Sequence, residues 1–192
     1  MRPFIKTFTG KTICPLDLKP ADVDIRDIAK SLSNTCRFGG HIEEFFSTAE
    51  HSVNCWKMSQ KLTSDPAVQM AVLLHDACEG LTTIDHVKPC KANYAVAIPP
   101  NGEIVTIDEL ERRIMKVIAE GLDLSLDFTN PLIKTIDKTM LNTEMLRLRG
   151  EMSNNGHGSF NLEIECWTPY RANLEFLEAY KAAGVSYRGG IL

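Results

Sequence analysis

The sequence has few histidines, five among 192 residues, and carries little excess charge. Its 21 Lys and Arg against 25 Asp and Glu give a net charge of −4. A mildly acidic chain has no bulk attraction for a nucleic acid polymer, so any phosphate partner must meet a local basic site. No window approaches the roughly 18 consecutive apolar residues of a membrane span. The start, Met1-Arg2-Pro3-Phe4-Ile5-Lys6, lacks the apolar stretch of a secretion signal. The six cysteines, Cys14, Cys36, Cys55, Cys78, Cys90 and Cys166, include no CxxC pair and no regular framework. Scattered in helical stretches, they read as small buried hydrophobes of a reducing compartment. The expectation is a cytoplasmic protein without membrane partners. No repeat and no domain-scale linker interrupts the chain. With 44% hydrophobic and 24% charged residues, disordered and fibrous classes are excluded, and one domain over residues 1–192 is expected.

What is present reads as mostly helical. Residues 4–14 alternate around Thr9-Gly10-Lys11, the pattern of a short hairpin. Asp24 can cap a helix carrying Ile25, Ile28, Ala29 and Leu32. Gly39-Gly40 marks a turn, and Ser47 or Thr48 caps a helix with Ala49, Val53 and Trp56 inward. Asp65-Pro66 opens a very apolar helix over 67 to about 80. Residues 81–105 read as an irregular loop able to cover a site. A helix then presents Leu110, Ile114, Val117 and Ile118 and stops at Gly121. The next starts at Asn130-Pro131, with Leu132, Ile133, Ile136, Met140, Leu141 and Met145 as its apolar face. A flexible loop over 150–160 leads to a last helix over about 169–183.

The chemistry concentrates in LLHDACEG, residues 73–80. An adjacent His75-Asp76 pair in an apolar helix is costly, because a buried carboxylate needs a metal, a cation or several donors. Glu79 follows His75 by four residues, on the same helical face. Imidazole with carboxylate suits Zn, Mn, Co or Fe, and one helix face cannot complete the shell. His51 and Asp137 are the available partners. Taken alone, His51 reads as a half-buried helix residue, and Asp137 as a surface carboxylate paired with Lys134 or Lys138.

The order His51, His75-Asp76, Asp137, with the flanks CRFGGH (36–41), STAEHS (47–52), LLHDACEG (73–80) and IDKTMLNTE (136–144), resembles the HD-domain metal-dependent phosphohydrolases. The likeness extends over about 5–180, toward the small members that include bacterial 5′-deoxyribonucleotidases and phage dATP triphosphohydrolases. It implies an all-α helical bundle with a short N-terminal β-hairpin. It also implies one divalent metal (Zn, Co, Mn or Fe) on His51, His75, Asp76 and Asp137. Glu79 would act as acid or base beside the metal. Asp85 would orient water or protonate the leaving oxygen, or else cap a loop. Arg37 would grip the substrate phosphate. Phe38 stands where those nucleotidases carry Trp, against C2′ of the sugar; the smaller ring leaves strict deoxyribose selection open. Gly39 and Gly40 would let the backbone approach the ligand. His41 could contact a phosphate or pack against Phe45-Phe46. Lys88 and Lys91 could reach a phosphate tail or be solvated surface. His86 and His157 have no supporting constellation.

The resemblance implies hydrolysis of the 5′-phosphoester of a deoxynucleoside mono- or triphosphate, by an enzyme that associates with copies of itself. A second reading is a catalytically degenerate HD fold that binds a nucleotide to regulate something else; the complete ligand set argues against it. A third, a cyclic or alarmone phosphodiesterase, calls for further histidines or domains, and His41 is the only spare candidate.

Overall fold

The hairpin at the N-terminus is held to the first helix by one buried carboxylate. In the computed structural model, which describes residues 4–82 and 93–184, β1 (Ile5–Lys6) pairs antiparallel with β2 (Thr12–Ile13). Between them the Thr9 backbone N–H and hydroxyl each donate to Asp27 at 2.7 Å. Asp27 belongs to α1 (Ile25–Asn34), which buries Ile25, Ile28, Ala29 and Leu32 as its spacing predicts. Asp24 caps this helix by accepting from the Arg26 N–H.

Next come α2 (Thr48–Leu62), α3 (Pro66–Leu73), the single turn α4 (Glu79–Thr82), α5 (Ile107–Gly121), α6 (Pro131–Arg149) and α7 (Pro169–Ala182). Side-chain caps start the longer ones: Ser47 for α2, Asp65 for α3, Thr106 for α5, Asn130 for α6 and Thr168 for α7. Each accepts from one of the first helical N–H groups, which have no partner within the helix. The described residues are thus mostly helical with a small N-terminal hairpin, as expected. Among them no helix is long and apolar enough to cross a membrane.

α2 is the central element, packed by α1, α3, α6 and α7. Enclosure on so many sides buries polar residues together with apolar ones. Glu50, His51, Ser52 and Ser59 are fully buried on the same helix as Ala49, Val53 and Cys55. Glu50 is compensated by the backbone N–H groups of Glu165, Cys166 and Trp167, at 3.2, 3.1 and 2.6 Å. One apolar group gathers Ile28, Leu32, Leu73, Leu74, Leu81, Ile118 and Phe176; a second, under α6, gathers Phe46, Met58, Val72, Ile136 and Met140.

Three expectations are corrected. The apolar helix does not run unbroken to residue 80: α3 ends at Leu73, and residues 74–78 form turns before α4. The His75 Nδ1 lies 2.7 Å from the Val72 carbonyl, the oxygen that the Asp76 N–H would take in a continuing helix. His75 therefore ends the helix it was expected to decorate. The end of the 81–105 stretch is not irregular: β3 (Ala95–Ile98) pairs antiparallel with β4 (Glu103–Thr106). Asn101-Gly102 supplies the turn, with Gly102 at φ 72°. The 150–160 loop is pinned rather than free. Asn142, buried on α6, donates to the His157 carbonyl at 2.6 Å and to Asn155 Oδ1 at 3.0 Å. Thr143 Oγ1 accepts from the Phe160 N–H at 2.8 Å.

Gly121 does more than stop α5. A Cβ there would lie 2.6 Å from the Pro20 carbonyl oxygen and 2.6 Å from Val23 Cβ, so the helix end passes too close to this turn for any side chain.

Candidate metal centre

His51 enters the interior one turn into α2, fully buried. Its Nδ1 hydrogen-bonds to Oε1 of Glu144 on α6, itself fully buried. A carboxylate can only accept, so Nδ1 carries the proton and Nε2 faces away from Glu144. His75, in the turn after α3, is fixed in the same way by Nδ1–H donation to Val72. The two Nε2 atoms stand 3.2 Å apart.

The carboxylates close around this pair. Asp76 Oδ2 lies 3.4 Å from His75 Nε2 and 3.7 Å from His51 Nε2. Asp137 Oδ1, from α6, lies 3.5 Å from His51 Nε2 and 3.9 Å from His75 Nε2. Two donors bonded at about 2.1 Å to one ion sit about 3.0 Å apart at a right angle and about 3.4 Å at a tetrahedral one. The nitrogens and the nearer carboxylate oxygens have this spacing. Among the described residues, Asp76, Asp137 and Glu144 crowd the two histidines with Arg37 to oppose them, an excess of negative charge that a divalent cation could balance.

The electrostatics agree. Burial works against ionising Asp76, but His75, His51 and Arg37 outweigh it and lower its pKa. Asp137 is likewise held below the usual carboxylate range, burial being outweighed by the hydrogen bond to His51, the charges of both histidines and Arg37. Burial and Arg37 disfavour a charge on His51, yet Cys55, Glu144 and Asp137 raise its pKa well above the ordinary value.

Arg37 sits at the edge of this group, its side chain 14% exposed. Its Nε donates to Glu144 Oε2 at 3.0 Å, and Nη1 lies 3.5 Å from Asp76 Oδ2. The loop that carries it is closed at its base, where the Arg37 N–H donates to the Phe46 carbonyl and the Thr48 N–H to the Thr35 carbonyl. Phe38 follows in the left-handed region at φ 59°, its ring centroid 5.8 Å from the Arg37 guanidinium carbon. Gly39 and Gly40 are also left-handed, at φ 60° and 77°. A Cβ would meet only His41 Cδ2, at 3.7 Å from Gly39, and nothing within 4 Å at Gly40, so among the described residues it is the left-handed turn that calls for glycine here. His41 is exposed and lines an open surface cleft with Arg147 and Arg149 rather than packing in the core.

Glu79 opens α4, its backbone N–H on the Asp76 carbonyl, near enough to Arg37 for its charge to be felt there. It reaches this place through a turn, so the expected helical pairing with His75 is replaced by adjacency to Asp76. His157 is half-buried in the pinned loop. Asp85, His86, Lys88 and Lys91 lie outside the described residues.

Two residues of the site escaped the sequence reading. Glu144 ends the IDKTMLNTE run, six residues before the loop at 150–160, and nothing in its immediate neighbours marks it as buried. Cys55 reads as an apolar filler. Its position four residues after His51, one turn along the helix, was the signal that could have found it. His51, Cys55 and His75 form a group that could hold a metal, their donor atoms all within 4.8 Å of one another. Burial pushes the Cys55 thiol up in pKa, with His51 pulling against it.

No family model matches the chain. It is 36% identical to the uncharacterized protein YfdR of Escherichia coli (strain K12) over 143 residues, 73% of this chain and 70% of that one. With that identity over that share of both proteins, the chain belongs to the YfdR family.

Proposed function

We propose that this protein is a metal-dependent phosphohydrolase that cleaves the 5′-phosphoester of a nucleotide, a deoxynucleoside mono- or triphosphate. The observation that carries the reading is the convergence of four donors from three separated segments. The His51 and His75 Nε2 atoms stand 3.2 Å apart, each lies 3.4 to 3.9 Å from Asp76 and Asp137, and both histidines are anchored through Nδ1. Packing alone does not require two imidazoles and two carboxylates to meet at one point, and an arginine beside them suits a phosphate.

These four residues would hold a divalent ion of the Zn, Co, Mn or Fe type, which when bound supplies Lewis acidity toward a phosphoryl oxygen and lowers the pKa of a water. The chain's own groups do the rest. Arg37 binds the phosphate and offsets its charge, held in place through Nε by Glu144. Glu144 keeps the His51 proton on Nδ1, so Nε2 remains the inward atom. Glu79, beside Asp76, moves protons between the attacking water and the departing nucleoside oxygen. Phe38, next to Arg37, lies against the sugar. Water adds to phosphorus and the P–O bond to the 5′ oxygen breaks. A monophosphate yields nucleoside and phosphate, and a triphosphate yields nucleoside and inorganic triphosphate.

A panel of dNMPs, NMPs and dNTPs, supplemented with Mn²⁺, Co²⁺ or Zn²⁺ and with products identified, tests this. Phosphate from dNMPs or triphosphate from dNTPs supports it. Tight nucleotide binding without turnover under every metal would instead favour a regulatory nucleotide-binding role.

A further inference from the structure

Cys55 follows His51 by one turn on α2 and is fully buried. Its Sγ lies 3.6 Å from His51 Nε2, the atom that faces the centre rather than Glu144. We propose that Cys55 is a sulfur ligand of the same metal centre, and that it gives the site a preference for thiophilic divalent ions. The inference rests on the metal-binding reading above and adds a donor to it.

Three observations carry it. First, the donor atoms of His51, Cys55 and His75 all lie within 4.8 Å of one another. Second, the spacing fits. Metal–nitrogen and metal–sulfur bonds of about 2.1 and about 2.3 Å at a tetrahedral angle hold N and S about 3.6 Å apart, and the Sγ–Nε2 distance is 3.6 Å. Third, the sulfur meets the inward Nε2 of His51, whose other ring nitrogen is already committed to Glu144.

Coordination breaks the S–H bond, forms the metal–sulfur bond and releases the proton to solvent. A thiolate among imidazole and carboxylate donors shifts selection away from Mn²⁺ and Mg²⁺ toward Zn²⁺, Co²⁺ and Fe²⁺. The nucleotide chemistry does not require it, so the sulfur acts on which ion fills the centre.

Cobalt tests this directly, because a thiolate bound to Co²⁺ adds a near-ultraviolet charge-transfer band that a nearby, unbound thiol does not. The full chain, loaded with Co²⁺ and assayed for bound metal, is compared with Cys55→Ser and with Cys14→Ser as a control thiol. The proposal expects the band in the wild type and in Cys14→Ser, and its loss in Cys55→Ser with cobalt still bound. Cd²⁺ affinity in Cys55→Ser should fall about tenfold or more while Mn²⁺ affinity moves less than about threefold. Cys55→Ala serves the same comparison if a buried hydroxyl impairs folding. Cobalt bound by the wild type without the band, or a band that survives in the Cys55 variants, overturns the sulfur ligand and leaves the metal centre standing. No cobalt bound at all overturns both.

Discussion

Glu144 and His51, ninety-three residues apart, are joined by a hydrogen bond between two fully buried side chains, Oε1 to Nδ1. The other carboxylate oxygen takes the Arg37 Nε. One residue therefore orients a candidate metal ligand and the candidate phosphate-binding cation together.

Removing that carboxylate should weaken metal binding without removing a ligand. Glu144→Ala is expected to lower metal affinity by about 10- to 100-fold, the usual effect of losing the partner of a metal-bound histidine. Glu144→Gln should recover part of the loss, since the amide oxygen can accept from only one of the two donors well. Competition titration against a chromogenic chelator measures both. Unchanged affinity in Glu144→Ala would dissociate Glu144 from the centre.

Glu50 is the structural counterpart on the same helix. It gathers the N–H groups of Glu165, Cys166 and Trp167 just ahead of α7. Glu50→Ala orphans three donors and should destabilise the fold by about 2–4 kcal/mol. Urea denaturation reads this, and a loss under 1 kcal/mol, by the same reasoning, would mean that water satisfies those groups instead.

Gly121→Ala should cost about 1–3 kcal/mol, because the added methyl meets the Pro20 carbonyl and Val23 at 2.6 Å. Helix propensity alone favours Ala over Gly. A lower thermal midpoint therefore assigns the cost to the close approach, and a raised midpoint would refute it.

Asp24 makes part of the stability depend on pH. Partial burial opposes its ionisation, but hydrogen bonds from Arg26 outweigh this, and its pKa is lowered in the fold. A lowered carboxylate stabilises above its unfolded pKa, and that contribution is lost as pH falls through the folded value. Asp24→Ala should cost about 1 kcal/mol at neutral pH as a lost cap. The gap to wild type should narrow from about pH 4 downward. Unfolding curves at pH 7 and pH 3 check it; a gap that widens in acid contradicts the assignment.

Much of this architecture was legible because local rules and tertiary packing agree. Caps at Asp24, Ser47, Asp65 and Asn130 start their helices where side-chain chemistry says they should. His51, His75, Asp76 and Asp137 were legible as an ordered pattern, and the fold brings them together. What local rules hid lies where one side chain overrides periodicity. His75 takes the Val72 carbonyl and breaks a helix that hydrophobic pattern alone would continue. Asn142, Thr143 and Glu144 are buried on the stretch of α6 where Leu141 and Met145 were expected inward, because each has a polar partner across the fold. Polar burial of that kind depends on residues remote in sequence, so periodicity cannot register it.

His51, His75, Asp76 and Asp137 are proposed to hold a metal that makes the protein a nucleotide phosphohydrolase. The most direct measurement is bound metal together with phosphate or triphosphate release, on the same samples of wild type, His75→Ala and Asp137→Asn. The wild type should carry about one divalent ion per chain and turn over a deoxynucleotide, losing activity on chelation and regaining it when metal returns. Both variants should lose bound metal and turnover together while remaining folded. Variants that keep wild-type metal content and activity would contradict the account.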